Sequence, residues 1–274
     1  MNNTQWEKRS ERVLEAVAFS SLIPNLFAGF TTKHGGTSKL SYSSLNMGFH
    51  VGDEQDNVQQ NRQLVAKDIE FPLDQWVGSE QVHSSTIVEV TSRDVGRGAA
   101  NLDSAIKQSD GLYTTEAGIL LTSLYADCVP LYFVAKNAQY IGLCHAGWQG
   151  TVKQIGPKLV DLWLRNHQIK VSDIHVLIGP SISQQHYEVN EPIIEQVDRV
   201  LPAGEEKPYE SSRPGHYMLD LPKLNQLLLL KVGLRAEQIH MSGMCTFKEE
   251  AFFSHRQAQG MTGRMMSAIG FKKG

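Results

Sequence analysis

The stretch that decides the fold, residues 140–180, reads YIGLCHAGWQGTVKQIGPKLVDLWLRNHQIKVSDIHVLIGP. Two apolar runs within it, residues 140–145 and 174–178, have the length and composition of buried strands. Between them, apolar residues recur at spacings of three and four, which predicts a helix that ends near His167. The residues on its apolar face are Val152, Ile155, Leu159 and Leu162. A strand, a helix and a strand in succession are typical of an α/β protein.

More helices and strands are predicted on both sides of this unit. Helices are expected over residues 56–69, 190–201 and 220–233, each beginning at an Asp or Asn that can cap a helix. Further strands are expected over residues 86–90, 118–125 and 131–134, and surface loops over residues 93–101 and 202–215. We therefore expect an α/β fold, a single domain over residues 1–274 with a mixed β-sheet flanked by helices.

Composition limits the classes of function. The chain has 274 residues, with 26 Lys and Arg against 29 Asp and Glu, so its net charge of −3 argues against a nucleic-acid partner bound by bulk electrostatics. No apolar run approaches the roughly 18 residues of a membrane span, and the N-terminal sequence lacks the pattern of a secretory signal. Three widely spaced cysteines, Cys128, Cys144 and Cys245, do not form a disulfide framework. The expected location is the cytoplasm.

Three segments place a side chain that can bind a metal beside a predicted strand. They are residues 81–83 (QVH), 126–130 (ADCVP) and 144–148 (CHAGW). On the strand that ends at His145, Cys144 points to the opposite face, so these two neighbours cannot easily serve one metal. The alternative is structural: His83 at the surface, Cys128 as a small buried apolar residue and His145 hydrogen-bonded at a strand end.

The same motifs, taken with others along the chain, resemble the laccase-domain family, also called YfiH-type proteins. The resemblance covers nearly the whole chain, and its most specific part is the pairing of ADC with HAGW. The further matching motifs are FTTKHGGTS (30–38), SLNMG (44–48), DGLYT (110–114), IGPSI (178–182), FFSHR (252–256) and TGR (262–264). Members of this family have been described as polyphenol oxidases and as purine nucleoside phosphorylases with adenosine deaminase activity.

The resemblance implies one Zn²⁺ site made by His83, Cys128 and His145. Two imidazoles and one thiolate leave one position of a tetrahedral zinc open, which is typical of a catalytic site. The implied enzyme is a purine nucleoside phosphorylase, a glycosyltransferase acting on adenosine, inosine, guanosine or methylthioadenosine with phosphate. Deamination of adenosine is the second implied activity. Asp127, beside the thiolate, is predicted to take part in catalysis by orienting a ligand or substrate, or alternatively to form a turn.

Phosphorolysis also requires a site for phosphate. The predicted phosphate- and substrate-binding residues are Lys33 and Arg62, with Arg62 also predicted to be catalytic, together with the segment 147–151 that opens a helix. The alternative for Arg62 is a solvated charge on a helix surface. Asn46 is predicted either to bind substrate hydroxyls or to hold a turn, and Arg264 either to contact ligand or to pair internally.

Three other functions use the same residues. Two His and one Cys also match a copper site, so a copper-dependent polyphenol oxidase is the main alternative. A trinuclear copper cluster is not expected, because the ten histidines include no His-x-His pair. Zinc serving only to stabilise the fold would normally have four protein ligands. In the last alternative, Cys128 is a nucleophile with a histidine as its base.

Overall fold

The computed structural model describes residues 5–20, 22–201 and 204–273. None of the helices in these ranges is long and apolar enough to span a bilayer. The helices of the described ranges are α1 (Val17–Ser20), α2 (Gln55–Ile69), α3 (Trp148–Val152), α4 (Ile155–Asn166), α5 (Glu191–Val200) and α6 (Leu221–Lys231).

The strands form three sheets within the described ranges. In order across each sheet, these are β1-β2-β3-β15-β7-β4, β14-β10-β8-β9-β6-β5 and the small sheet β11-β13-β12. The strands are β1 (Glu7–Lys8), β2 (Val13–Glu15), β3 (Leu26–Thr31), β4 (Trp76–Gly78), β5 (Ile87–Glu89), β6 (Gly111–Thr114), β7 (Leu120–Tyr125), β8 (Val129–Ala135), β9 (Tyr140–Ala146), β10 (Ile174–Ile178), β11 (Glu188–Asn190), β12 (Tyr209–Arg213), β13 (His216–Leu219), β14 (Ile239–Met241) and β15 (Met265–Phe271).

The two six-stranded sheets pack face to face, and helices cover their outer faces. Side chains alternate along each strand, so Leu177 of β10 points into the core between the sheets. Its neighbours Val176 and Ile178 point to the outer core, which also contains residues of α4, α5 and α6. On the other side, Val65 and Ile69 of α2 pack against the first sheet. The molecule is thus four layers deep, helix, sheet, sheet and helix.

This architecture confirms the predicted α/β class with mixed sheets flanked by helices. The sequence predicted a single mixed sheet, whereas the structure divides the strands between two large sheets and one small one. Alternation of apolar residues shows which face of a strand is buried, but it does not show which strand lies beside it. Strand β10 has the predicted bounds, and α6 is capped by Asp220, whose carboxylate accepts the N–H of Lys223.

Some predicted elements differ in the structure. The helix carrying Val152 and Ile155 is broken into α3 and α4, because Gln154 adopts a left-handed conformation with φ of 60°. The predicted loop 202–215 contains strand β12, and residues 202 and 203 lie outside the described ranges. The predicted surface loop 93–101 is partly buried, since Ala99 is 3% exposed.

Candidate metal centre

Three donor side chains meet at one edge of the second large sheet. His145 lies near the end of β9, Cys128 directly precedes β8, and His83 lies in the loop before β5. Because β9 runs antiparallel to β8 and to β6, and β5 runs parallel to β6, these positions fall at the same edge. The ligand atoms of the three residues lie within 4.8 Å of one another. In the described part of the chain, this is the one group of three or more His, Cys, Asp or Glu that is arranged to hold a metal ion.

The carboxylate of Asp110 fixes the ring of His145. Oδ1 of Asp110 accepts a hydrogen bond from Nδ1 of His145 at 2.9 Å, and both side chains are buried. With its proton on Nδ1, the imidazole presents the lone pair of Nε2 to a metal. A carboxylate behind a ligating histidine is the usual way in which metal sites set the tautomer and orientation of the ring.

Asp110 also shapes the loop that carries His83. Its two carboxylate oxygens accept the main-chain N–H groups of Val82, His83 and Ser84 at 3.2, 3.0 and 2.7 Å, and the hydroxyl of Ser84 at 2.8 Å. His83 adopts a left-handed conformation with φ of 57°, which a non-glycine residue keeps only when its surroundings impose it. Asp110 was not among the site residues predicted from the sequence. Its one signal there was its place at the start of the DGLYT motif, since its partners lie far away along the chain.

Gln81 of the QVH motif ties the same loop to the first large sheet. Its side-chain amide donates to the carbonyl of Leu124 at 3.0 Å and accepts the N–H of Leu124 at 2.8 Å. These two bonds imitate the pairing of a strand neighbour. The loop carrying His83 is therefore held from both sides, by Gln81 and by Asp110.

Asp127 holds the turn that presents Cys128. Its φ is 86°, and its buried carboxylate accepts the hydroxyl of Thr246 at 2.8 Å and the main-chain N–H of Arg256 at 2.7 Å. Both oxygens are thus bonded within the protein, as the turn-forming alternative expects. The predicted catalytic role of Asp127 stays a prediction.

The charges of the site favour a thiolate. Burial raises the pKa of Cys128, but the imidazoles of His145 and His83 more than offset this and bring it down to about 6. Burial lowers the pKa of His145, whereas the Cys128 thiolate and Asp110 raise it to about 9. For Asp110 the raising effect of burial is outweighed by His145 and Ser84, which lower its pKa to about 2. In the metal-free protein, these shifts favour a Cys128 thiolate beside a protonated His145, and a metal cation would replace the proton of the imidazolium.

The donor set suits zinc. Cys128 and the two imidazoles provide three ligands, the number found in catalytic zinc sites that keep one position open. Cys144 takes no part, as the alternation on β9 predicted, because its side chain is buried in the outer core beneath the helices. Burial, together with the charge of Asp110, raises the pKa of the Cys144 thiol well above its usual range.

Gly147 leaves room for the three donors. A Cβ atom at this position would lie 3.0 Å from Sγ of Cys128 and 3.1 Å from Cδ2 of His83. We expect Gly147→Ala to lower zinc content and zinc affinity at least about tenfold, because the methyl group displaces two donors. The backbone of Gly147, with φ of −63°, accepts alanine, so the variant should still fold. Zinc analysis and thermal unfolding of the purified variant measure the two effects separately.

Gly243→Ala is the control for that experiment. A Cβ atom there would have no neighbour within 4 Å, although φ is 69°. This variant should lose a little stability through backbone strain, about 1–2 kcal/mol, and keep its zinc. Full zinc occupancy in Gly147→Ala would show that the donors do not need the space beside Gly147.

The predicted residue Arg62 is a buried cation, 3% exposed, so the surface alternative is wrong. Its guanidinium donates to the carbonyls of Met47, Gly98 and Ala99 at 2.6–3.0 Å and lies over the ring of Phe49. Burial lowers the pKa of Arg62 to about 9. Its roles in catalysis and in phosphate binding stay predictions.

Asn46 and Lys33 occupy contrasting positions. Asn46 is buried, and its amide bonds the main chain of Gly48, the N–H of Arg264 and the carboxylate of Asp53, as the turn-holding alternative expects. Lys33 is half-buried, its main chain is bonded to that of Ala251, and its ammonium group has no hydrogen-bond or ion-pair partner among the described residues. The segment 147–151 opens a helix, as predicted, since α3 begins at Trp148. Substrate binding by Asn46 and Lys33 stays a prediction.

Known proteins resemble this chain over most of its length. Over 244 residues the chain is 48% identical to the purine nucleoside phosphorylase YlmD of Geobacillus stearothermophilus. This match covers 89% of each chain. It is 44% identical over 249 residues to the protein of the same name from Bacillus subtilis, covering 90% of this chain and 89% of that one.

Solved structures extend the likeness to the whole fold. The crystal structure of YlmD from Geobacillus stearothermophilus superposes with a TM-score of 0.95, covering 98% of this chain and 99% of that one, at 44% identity. The hypothetical protein YfiH of Bacillus licheniformis superposes with a TM-score of 0.94 at 37% identity, covering 98% and 100%. The family model described as multi-copper polyphenol oxidoreductase laccase matches residues 27–272. The resemblance seen in the sequence motifs is thereby confirmed, and the chain belongs to this laccase-like family.

Proposed function

We propose that this protein is a zinc-dependent purine nucleoside phosphorylase. The observation that carries the proposal is the convergence of His83, Cys128 and His145, with Asp110 behind His145, at one sheet edge. The similar proteins named purine nucleoside phosphorylase support the reaction class. Adenosine, inosine, guanosine and methylthioadenosine are the candidate substrates.

Zinc bound by His83, Cys128 and His145 would supply a Lewis acid with one open coordination position. This chain's own residues determine where it sits: Asp110 fixes the ring of His145, and Asp127 fixes the turn before Cys128. Because both carboxylates are fully engaged with protein donors, we propose positioning roles for them. Arg62 and Asn46, which bond mainly to the protein main chain, would likewise shape the walls of the site.

The proposed reaction needs no reagent besides the nucleoside and hydrogenphosphate. An oxygen of hydrogenphosphate forms a bond to C1′ of the ribose, and the bond between C1′ and N9 breaks. Its electron pair stays on the base, which takes the proton that hydrogenphosphate gives up. The products are the free purine and ribose 1-phosphate.

The number of metal-binding groups favours this proposal over a copper oxidase. Oxidases with a trinuclear copper cluster require several groups of ligands, whereas the described residues supply one group of three. The cysteine and histidines of this group can nevertheless bind copper, so the test must establish which metal the protein holds.

The test is a product assay on protein with a known metal content. Zinc-loaded, copper-free protein should convert adenosine and phosphate to adenine and ribose 1-phosphate, and should need phosphate to do so. Chelation should abolish this activity, and added zinc should restore it. Inosine formed without phosphate would instead identify a deaminase.

Two further outcomes would contradict the proposal. Phosphorolysis that survives complete removal of metal would favour Cys128 as a nucleophile. Oxidation of phenols that appears on copper loading, in protein that turns over no purine nucleoside, would favour the oxidase.

A further inference from the structure

Two basic side chains flank Gly48 beside the metal centre. A Cβ atom on Gly48 would lie 3.0 Å from Cγ of Arg264 and 3.3 Å from Cε1 of His50. Gly48 therefore lets the two side chains approach each other across the main chain. Arg264 directly precedes β15, whose first residue, Met265, pairs with Tyr125, and the ring centroid of Tyr125 lies 5.4 Å from that of His145. Arg264, and His50 beside it, therefore lie near the donors.

One nitrogen of the Arg264 guanidinium is hydrogen-bonded within the protein, and the other two are free to bind a ligand. Nη1 donates to the carbonyls of Thr262 and Gly263 at 2.8 and 3.1 Å, and the main-chain N–H donates to Oδ1 of Asn46 at 2.9 Å. Within the described ranges, its Nε and Nη2 donors have no partner. A guanidinium fixed on one side presents its other donors in a geometry that suits two oxygens of one anion.

The charge of Arg264 is also uncompensated. No carboxylate forms an ion pair with it in the part of the chain that the structure describes, and the nearby carboxylate of Asp127 already has two partners. Cys128 is the other nearby negative group, and its charge is shared with the metal once zinc is bound. A half-buried cation without a counterion is costly unless a ligand supplies the negative charge.

The surroundings of His50 are positive as well. Burial and the positive charges of Arg264, Arg62, His145 and His83 together lower its pKa to about 4. The four charged groups that contribute to this shift are all basic. At neutral pH it is uncharged and can donate one N–H to an anion.

Arg62 is less suited to contact an anion. Besides its four bonds to carbonyls, it lines a cavity of about 20 Å³, which has room for about one water molecule. A phosphate does not fit there. Arg62 adds positive charge to the site from within the wall. His50 lines the same cavity, but its side chain is exposed and lies beside Gly48, as does that of Arg264.

We propose that Arg264 and His50 form the phosphate-binding subsite of the metal centre, with Arg264 contributing two N–H donors to a tetrahedral anion. The inference rests on the proposed function for its choice of inorganic phosphate. It assigns binding to residues other than Lys33 and Arg62. Asn46 then acts through Arg264, by fixing its main chain.

The experiment compares zinc-loaded wild type with Arg264→Gln, Arg264→Lys and His50→Gln. Arg264→Gln should raise the phosphate KM and the calorimetric Kd for phosphate about 10- to 100-fold, because it removes a charge-assisted pair of bonds. His50→Gln should raise both about two- to tenfold. The nucleoside KM and the zinc content should not change. Arg165→Gln, on the outer helix α4, is the control for the loss of one positive charge and should leave the phosphate KM unaltered.

Arg264→Lys keeps the charge but loses the two-pronged geometry, so it should fall between wild type and Arg264→Gln. It keeps the test informative if Arg264→Gln does not fold. An unchanged phosphate Kd in a folded Arg264 variant overturns the subsite, as does a larger effect in Lys33→Met.

Two further measurements test phosphate binding at the subsite independently of the proposed reaction. Wild type that binds phosphate in an Arg264-dependent way but turns over no nucleoside supports the subsite and contradicts the phosphorylase. Binding of adenosine 5′-phosphate that depends on Arg264, with binding of inorganic phosphate that does not, would assign the subsite to a nucleotide phosphoryl group and overturn the inference.

Discussion

Cys128→Ser is expected to lose most of its zinc and to reduce phosphorolysis more than about 100-fold. The thiolate of Cys128, whose pKa lies near 6, is the anionic donor of the group, and a serine hydroxyl does not ionise at neutral pH. Removing a ligand should cost more than removing one of its supporting hydrogen bonds, which typically costs 10- to 100-fold. Metal analysis and the adenosine assay on the same preparation measure both losses.

Cys245→Ser is the matched control. Sγ of Cys245 accepts hydrogen bonds from the N–H and hydroxyl of Ser183, and a serine oxygen can accept the same bonds. This variant should keep its zinc and its activity. Cys144→Ser should also keep its zinc, since its side chain lies in the outer core. Full zinc occupancy in Cys128→Ser would remove Cys128 from the ligand set.

Asp110→Asn should weaken zinc binding about 10- to 100-fold. The two carboxylate oxygens accept five hydrogen bonds, and all five donors are N–H or O–H groups of His145 and residues 82–84. Whichever way the amide is turned, its NH₂ group meets N–H donors and repels them. The loop carrying His83 and the ring of His145 should therefore both lose their fixed positions. Competition with a zinc chelator of known affinity measures the change.

Asp220→Asn is the control for Asp110→Asn. Asp220 caps helix α6 by accepting one N–H group, and asparagine caps helices about equally well. Zinc affinity should stay at the wild-type value in this variant. Wild-type zinc affinity in Asp110→Asn would mean that the carboxylate does not set the position of His145 or His83.

The fold was predictable where local pattern decides it. The run that forms β10 is apolar and bounded by turns, and Asp220 is a recognisable helix cap, so both elements were predicted from local residues alone. The break between α3 and α4 was not, because Gln154 carries no local signal for its left-handed conformation. The pairing of strands into two sheets depends on contacts between distant residues, which alternation does not encode.

The candidate site, like the fold, was predictable only where local geometry decides it. The sequence showed that His145 and Cys144 face opposite sides, because that follows from strand geometry. Asp110 was not among the predicted site residues, because its function comes from contacts with Val82, His83, Ser84 and His145. The alternative of a solvated Arg62 on a helix surface was wrong, because the carbonyls that enclose its charge come from loops elsewhere in the chain.

The scattered origin of the three donors determines the order in which this protein is built. His83, Cys128 and His145 come from separate segments that meet only when β5, β8 and β9 have been assembled into one sheet. In an unfolded chain these three donors lie far apart along the sequence, in contrast to a zinc finger, whose metal drives its folding. The apolar cores on both sides of the sheet hold the strands together through their own side chains. We therefore expect the proposed zinc to be loaded after folding. A chelator should then yield an inactive apoprotein that keeps its secondary structure and regains activity when the metal is returned.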